Sequence, residues 1–206
     1  MEMYENENDQ VDAIKRFFAE NGKALAVGVI LGVGALVGWR YWNSHQIDSA
    51  RGSSLQYENT VSAIQADQPQ TLAAAEKFTA DNKNTYGALT SLEVAQQFVD
   101  KGELDKAAAQ LQQGLAAAGN DNLKALINLR LARIQVQQKK PDEALKTLDT
   151  VKGEGFASIV ADLRGEALLS KGDKQGARSA WEAGVKSNAS PALSEMMQMK
   201  INNLSV

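Results

Sequence analysis

The chain has 206 residues, with 22 Lys and Arg against 25 Asp and Glu, one histidine and no cysteine. Without cysteine it forms no disulfide and supports no thiol or Fe–S chemistry, and interspersed charges at a net of −3 leave no basic stripe for nucleic acid. With His45 alone, no Ser-His-Asp set or zinc spacing can be assembled, so the sequence predicts no catalytic residue, cofactor or metal site and does not read as an enzyme.

Residues 1–22 form an acidic tail. Positions 1–9 include Glu2, Glu5, Glu7 and Asp9 and read as disordered. Between Gln10 and Glu20, Val11, Ile14, Phe17 and Phe18 fall on one side of a helix. That pattern fits a short amphipathic helix lying at a membrane interface, or a plain extension of the helix that follows.

From Ala24 to Trp39 run sixteen residues without a charge, ALAVGVILGVGALVGW, closed by Arg40-Tyr41-Trp42. As a helix the run is about 24 Å long. Counting the ends that can sit among headgroups, residues 23–42 approach the roughly 30 Å of a hydrocarbon core. A core helix of a soluble protein would carry a polar face, and none interrupts this run. A cleaved secretory signal has an apolar stretch of about 7–15 residues behind a basic start. Here the start is long and acidic, Trp39, Tyr41 and Trp42 form an aromatic belt at the exit, and Val33-Gly34-Ala35 offers only a faint cleavage pattern. Gly32-x-Gly34 lacks the preceding strand of a dinucleotide loop. The segment therefore predicts an uncleaved, single-pass transmembrane helix. Lys15, Arg16 and Lys23 on one flank against Arg40 and Arg51 on the other favour a cytoplasmic N-terminus. Gly28-x3-Gly32 and Gly34-x3-Gly38 would permit close packing against another membrane helix, although glycine is common in such helices.

Residues 43–206 hold 18 Lys and Arg and 19 Asp and Glu, rich in Ala, Leu and Gln, with no alternating run of β-branched residues. They predict helices of about 12–20 residues broken at Asp100-Lys101-Gly102, Lys140-Pro141-Asp142 and Lys171-Gly172-Asp173. An internal repeat runs through them. Ala95, Phe98, Gly102, Leu104, Ala107, Leu111 and Gly114 are followed 37 residues later by Ala132, Gln135, Lys139, Pro141, Ala144, Leu148 and Val151. After another 33 come Gly165, Leu168, Gly172, Lys174, Ala177, Trp181 and Gly184. Gln65, Pro69, Ala74 and Phe78 mark a degenerate first unit. Ser190-Pro191 opens a last helix through Leu204 that would cap the array, with Met196, Met197 and Met199 as core or contact residues.

This pattern resembles the tetratricopeptide repeat, with small residues where two helices cross and large ones between them. Another α-hairpin array or a helical bundle is the alternative. The expected fold is all-α: one N-terminal transmembrane helix, then a tetratricopeptide-like solenoid with a C-terminal capping helix. The consensus tryptophan early in the first helix and most of the closing prolines are absent. Carried over, the inward-facing positions imply a partner or client groove formed by Leu89, Leu92, Gln96 and Val99, then Leu126, Leu129, Arg133 and Val136. Ile159, Asp162, Glu166 and Leu169 would make its last part acidic. The same Leu and Val residues also suit an inter-helix core. The Lys/Asn/Arg pattern that clamps a C-terminal carboxylate is missing.

Taken together, MEMYENENDQ, KRFFAENGKALAVGVILGVGAL, GWRYWNSHQ and DLRGEALLSKGDKQGARSAWEAGVKS resemble the YfgM family, ancillary subunits of the bacterial Sec translocon. The resemblance implies a single-pass inner-membrane protein with its repeat domain in the periplasm. It also implies association with the SecYEG channel and with the periplasmic chaperone PpiD. The expected function is a non-catalytic adaptor or chaperone for unfolded secretory clients as they emerge. A regulatory tether, whose cytoplasmic tail couples envelope stress to a signalling protein, is the alternative.

Overall fold

The computed structural model describes residues 3–65, 70–187 and 189–204, which form two compact units, Met1–Gly52 and Ser53–Val206. Among the described residues every regular element is helical. The α-helices are α1 (Met3–Gln65), α2 (Thr71–Asp81), α3 (Thr85–Asp100), α4 (Leu104–Ala117), α5 (Asp121–Gln137), α6 (Pro141–Asp149), α7 (Ala157–Ser170), α8 (Lys174–Lys186) and α9 (Pro191–Asn203). A single 3-10 turn, Glu154–Phe156, precedes α7.

The first unit is the N-terminal part of α1. Residues 3–9, expected to be disordered, lie within this helix, so that expectation is corrected. Lengthening an existing helix incurs no nucleation cost, which lets Asn- and Glu-rich sequence continue from the apolar run. Residues 10–20 continue into the apolar run, and the backbone breaks neither at residue 22 nor at residue 42. Val11, Ile14, Phe17 and Phe18 are exposed, as are Val29, Ile30, Leu31 and Leu36. Among the described residues this is the one helix long and apolar enough to cross a membrane, and none of its apolar window is buried. Trp39 and Trp42 meet edge to face with ring centroids 6.0 Å apart.

In the second unit α3–α4, α5–α6 and α7–α8 are three antiparallel hairpins. Each closes in the same way. Gly102, Lys139 and Gly172 have φ of 74°, 62° and 88°. The next amide reaches back over the turn: Glu103 to the Phe98 carbonyl at 2.8 Å, Lys140 to Gln135 at 2.9 Å, Asp173 to Leu168 at 2.9 Å. These paired bonds satisfy carbonyls that the helix end would otherwise strand. The three left-handed residues are those that the 37- and 33-residue spacings align. The second helices follow the same rule, with Ala107, Ala144 and Ala177 fully buried where the pair crosses. Leu111, Leu148 and Trp181, one turn on, are buried to within 1%. Trp181 fits because Gly165 has no Cβ to meet its indole, whose Nε1 donates to the Asp162 carbonyl at 3.1 Å.

In the degenerate first unit Phe78 is buried at its expected position, but the small crossing residue is shifted by one. Pro69 lies outside the described residues; Ala74 is exposed and Ala75 is fully buried, so Ala75 takes the crossing position. At the other end Ser190 caps α9 by accepting from the Leu193 amide, with Pro191 in the first turn. Met197 and Ile201 pack on Trp181 and Ala177, sealing the last hairpin. Met197 is buried, whereas Met199 is exposed.

Candidate functional site

The first helices of successive hairpins lie side by side, and α3 and α5 leave a groove of about 210 Å³ between them. Its walls include Leu92, Gln96 and Val99 from α3, and Arg130, Arg133 and Gln137 from α5. Asn84 accepts from the Tyr86 and Gly87 amides to start α3, and Asn120 accepts from the Leu123 amide to start α5. Both walls are therefore fixed at their N-terminal ends. Gln96 donates to the Asp100 carboxylate at 2.8 Å, and the Arg130 guanidinium points at the Leu92 carbonyl at 3.5 Å. Arg133 is exposed and makes no ion pair among the described residues. The groove thus offers methyl and methylene groups flanked by two guanidinium groups, a surface that suits binding rather than bond-making. Among the described residues no three His, Asp or Glu side chains converge as metal ligands would.

Of the eight residues carried over for the groove, Leu92, Gln96, Val99 and Arg133 line it, and of these Leu92 is buried in the core of the α3–α4 hairpin and Val99 packs on that core. Leu89 is half-buried and packs on the core of the α3–α4 hairpin. Leu129 is buried, and Val136 packs beside it against α6 and α7. Leu126 is exposed but stands outside the groove. Arg130, Ile134 and Gln137 were missed because the carried-over stride is rotated by one residue on α5. The polar stripe Arg130, Arg133, Gln137 within a leucine-rich helix was the signal for them.

The expected acidic end of the surface is not free. Asp162 is 3% exposed, and the Lys200 ammonium from α9 donates to Asp162 and to Glu166, both at 2.6 Å. Lys200 also lies 5.7 Å from the Trp181 ring centroid. Burial opposes its charge, but these two hydrogen bonds more than offset that, so its pKa stands above the usual lysine value of 10.5. Lys200 is 38 residues from Asp162, the same interval that separates Arg130 from Leu92. Lys200 of the final helix thus takes both carboxylates of the last first helix, whereas Ile159 and Leu169 on the same helix stay exposed.

In the membrane segment Gly28, Gly32, Gly34 and Gly38 have open space where a Cβ would stand. Trp39, Tyr41 and Trp42 are exposed at its end.

Residues 15–206 match the tetratricopeptide repeat-like domain. Over its full length the chain is 79% identical to a protein of Escherichia coli (strain K12) named ancillary SecYEG translocon subunit, covering 100% of both. Proteins of the same name from Haemophilus influenzae and Aggregatibacter actinomycetemcomitans are 36% and 32% identical, each over 96% of this chain and 97% of theirs. No solved structure matches the chain. The small-residue crossings, the three left-handed turns and the full-length identity lead to one assignment: the chain belongs to the tetratricopeptide repeat-like proteins and, among them, to the family of ancillary SecYEG translocon subunits.

Proposed function

We propose that this protein is a non-catalytic adaptor of the Sec translocon, held in the inner membrane by residues 23–42, with residues 1–22 in the cytoplasm and residues 43–206 in the periplasm. The groove between α3 and α5 takes unfolded segments of periplasmic and outer-membrane proteins as they leave SecYEG, in concert with the chaperone PpiD. The observation that carries this reading is the 79% identity, end to end, to a protein named as an ancillary SecYEG translocon subunit. The groove's chemistry supports it, since a recess based on Leu92, Val99 and Ile134 and edged by the exposed Gln96, Arg130, Arg133 and Gln137 can hold extended or amphipathic polypeptide without demanding one sequence. Placement then does most of the work. A weak contact becomes effective when the anchor raises the local concentration of groove and client together. The glycine pairs leave two strips of the anchor free of side chains, and we assign them to contacts with helices of the channel.

Photocrosslinkers at Gln96 and Arg133 test the groove in native membranes, with Ala109 on α4 and Glu182 on α8 as exposed controls. Secretory precursors are expected at the groove positions and not at the controls. Equal capture at all four positions would overturn the assignment.

A further inference from the structure

The three second helices are unequal. α4 has 14 residues and α8 has 13, but α6 has only nine. α6 stops because Thr150 turns its hydroxyl back to the Thr147 carbonyl at 2.7 Å, and Gly153 at φ 108° leads the chain away. In α4 the corresponding last turn carries Gly114, which sits against Ser91 and Ala88 of α3; its counterpart here, Val151, is already beyond the helix. About one helical turn is therefore missing beside α5, and a cleft of about 690 Å³ opens there along α5 between α4 and α6, more than three times the volume of the α3–α5 groove.

The floor of this cleft is finished. Asn128, 7% exposed, donates to the Thr150 hydroxyl at 3.0 Å, and Gln135, 6% exposed, accepts from Thr147 at 2.8 Å. Ala125 and Leu131 are buried beside them, and Leu115 closes the α4 side. Cross-helix pairs that satisfy every buried amide hold the opening in a fixed shape. The rim is basic. Lys124 is paired with Asp121 at 3.7 Å, but Lys146 and Lys152 make no ion pair among the described residues. A floor of mixed lining that exposes more apolar than polar surface, beneath two ammonium groups of which Lys146 is only partly offset by Asp142, is complementary to an amphipathic helix with acidic residues beside its apolar stripe.

We propose that this cleft is a second interaction site, separate from the α3–α5 groove, which docks an acidic amphipathic helical segment of another protein in the place of the missing turn of α6. Its lysines select the sign of the partner's charge, and its floor receives the apolar side chains.

The test uses the full-length chain in cells, with a photocrosslinker at Gln112, an exposed cleft residue, and the captured peptide sequenced by mass spectrometry. The expected adduct is a segment of a different protein with net negative charge and apolar residues at helical spacing. Lys146→Glu with Lys152→Glu should cut its yield at least tenfold, whereas Lys146→Arg with Lys152→Arg should keep it. Capture at Gln96 in the charge-reversed chain serves as the folding control and should be unchanged. No adduct, a neutral or basic peptide, a second copy of this chain, or an adduct indifferent to charge reversal would each overturn the proposal. Capture from Gln96 stands or falls separately, so failure here leaves the reading of the α3–α5 groove intact.

Discussion

Lys139 stands where the other two hairpins place glycine, and it adopts the same left-handed backbone at φ 62°. A side chain there crowds its own carbonyl, at a cost of roughly 1–2 kcal/mol. Lys139→Gly should therefore raise stability by about 0.5–1 kcal/mol, part of the gain being offset by the freer unfolded chain. Gly102→Ala should lower it by about 1 kcal/mol for the converse reason. Chemical denaturation of the full-length chain in detergent reads both. Gly165 answers to space rather than to φ, since a Cβ there would collide with the Trp181 indole, which has no room to retreat. Gly165→Ala should cost about 1–3 kcal/mol and shift Trp181 emission toward the red as the hairpin opens. Residue type and spacing made these positions legible, because only small side chains recur at helix crossings. That Lys139 is a left-handed residue was visible only through its alignment with Gly102 and Gly172, since lysine by itself signals nothing of the kind.

α9 shows what an element does that its own sequence does not announce. Ser190-Pro191 marked its start and its apolar residues marked it as a cap. Nothing in the sequence linked Lys200 to Asp162 and Glu166, which arrive from α7 only when the array is built. Leu129 illustrates the same limit: on a helix with apolar residues on nearly every face, the next helices decide which face is core. Arg130 was missed for that reason. Lys200→Met would leave Asp162 buried without its partner, so it should destabilise more than Lys171→Met, whose pair with Asp142 is exposed and screened by solvent. The pH dependence has a definite sign. Because the folded state holds the Lys200 proton more tightly than the unfolded chain, its contribution is complete below pH 10.5 and is lost as pH rises through the higher folded value. The stability difference between the natural chain and Lys200→Met should therefore be flat to about pH 10 and shrink in more alkaline solution.

Across the whole molecule, chemistry is sparse and position matters. In the proposed adaptor the repeat domain offers surfaces, and the anchor decides which polypeptides meet them. Gly28-x3-Gly32 and Gly34-x3-Gly38 are six residues apart, which sets the two pairs about 120° from each other around the helix. If each strip meets a channel helix, Gly28→Leu with Gly32→Leu should reduce copurification of SecYEG at least fivefold, while Val29→Leu with Val33→Leu leaves it unchanged. The most direct test of an adaptor that acts through its location is crosslinking from Gln96 to a secretory precursor stalled in the translocon, in inner-membrane vesicles. Two chains of equal abundance are compared, one with residues 23–42 intact and one with an unrelated membrane span in their place. The proposed placement predicts a strong adduct with the native anchor and at least a tenfold loss with the substitute. Equal adducts from both chains would contradict it.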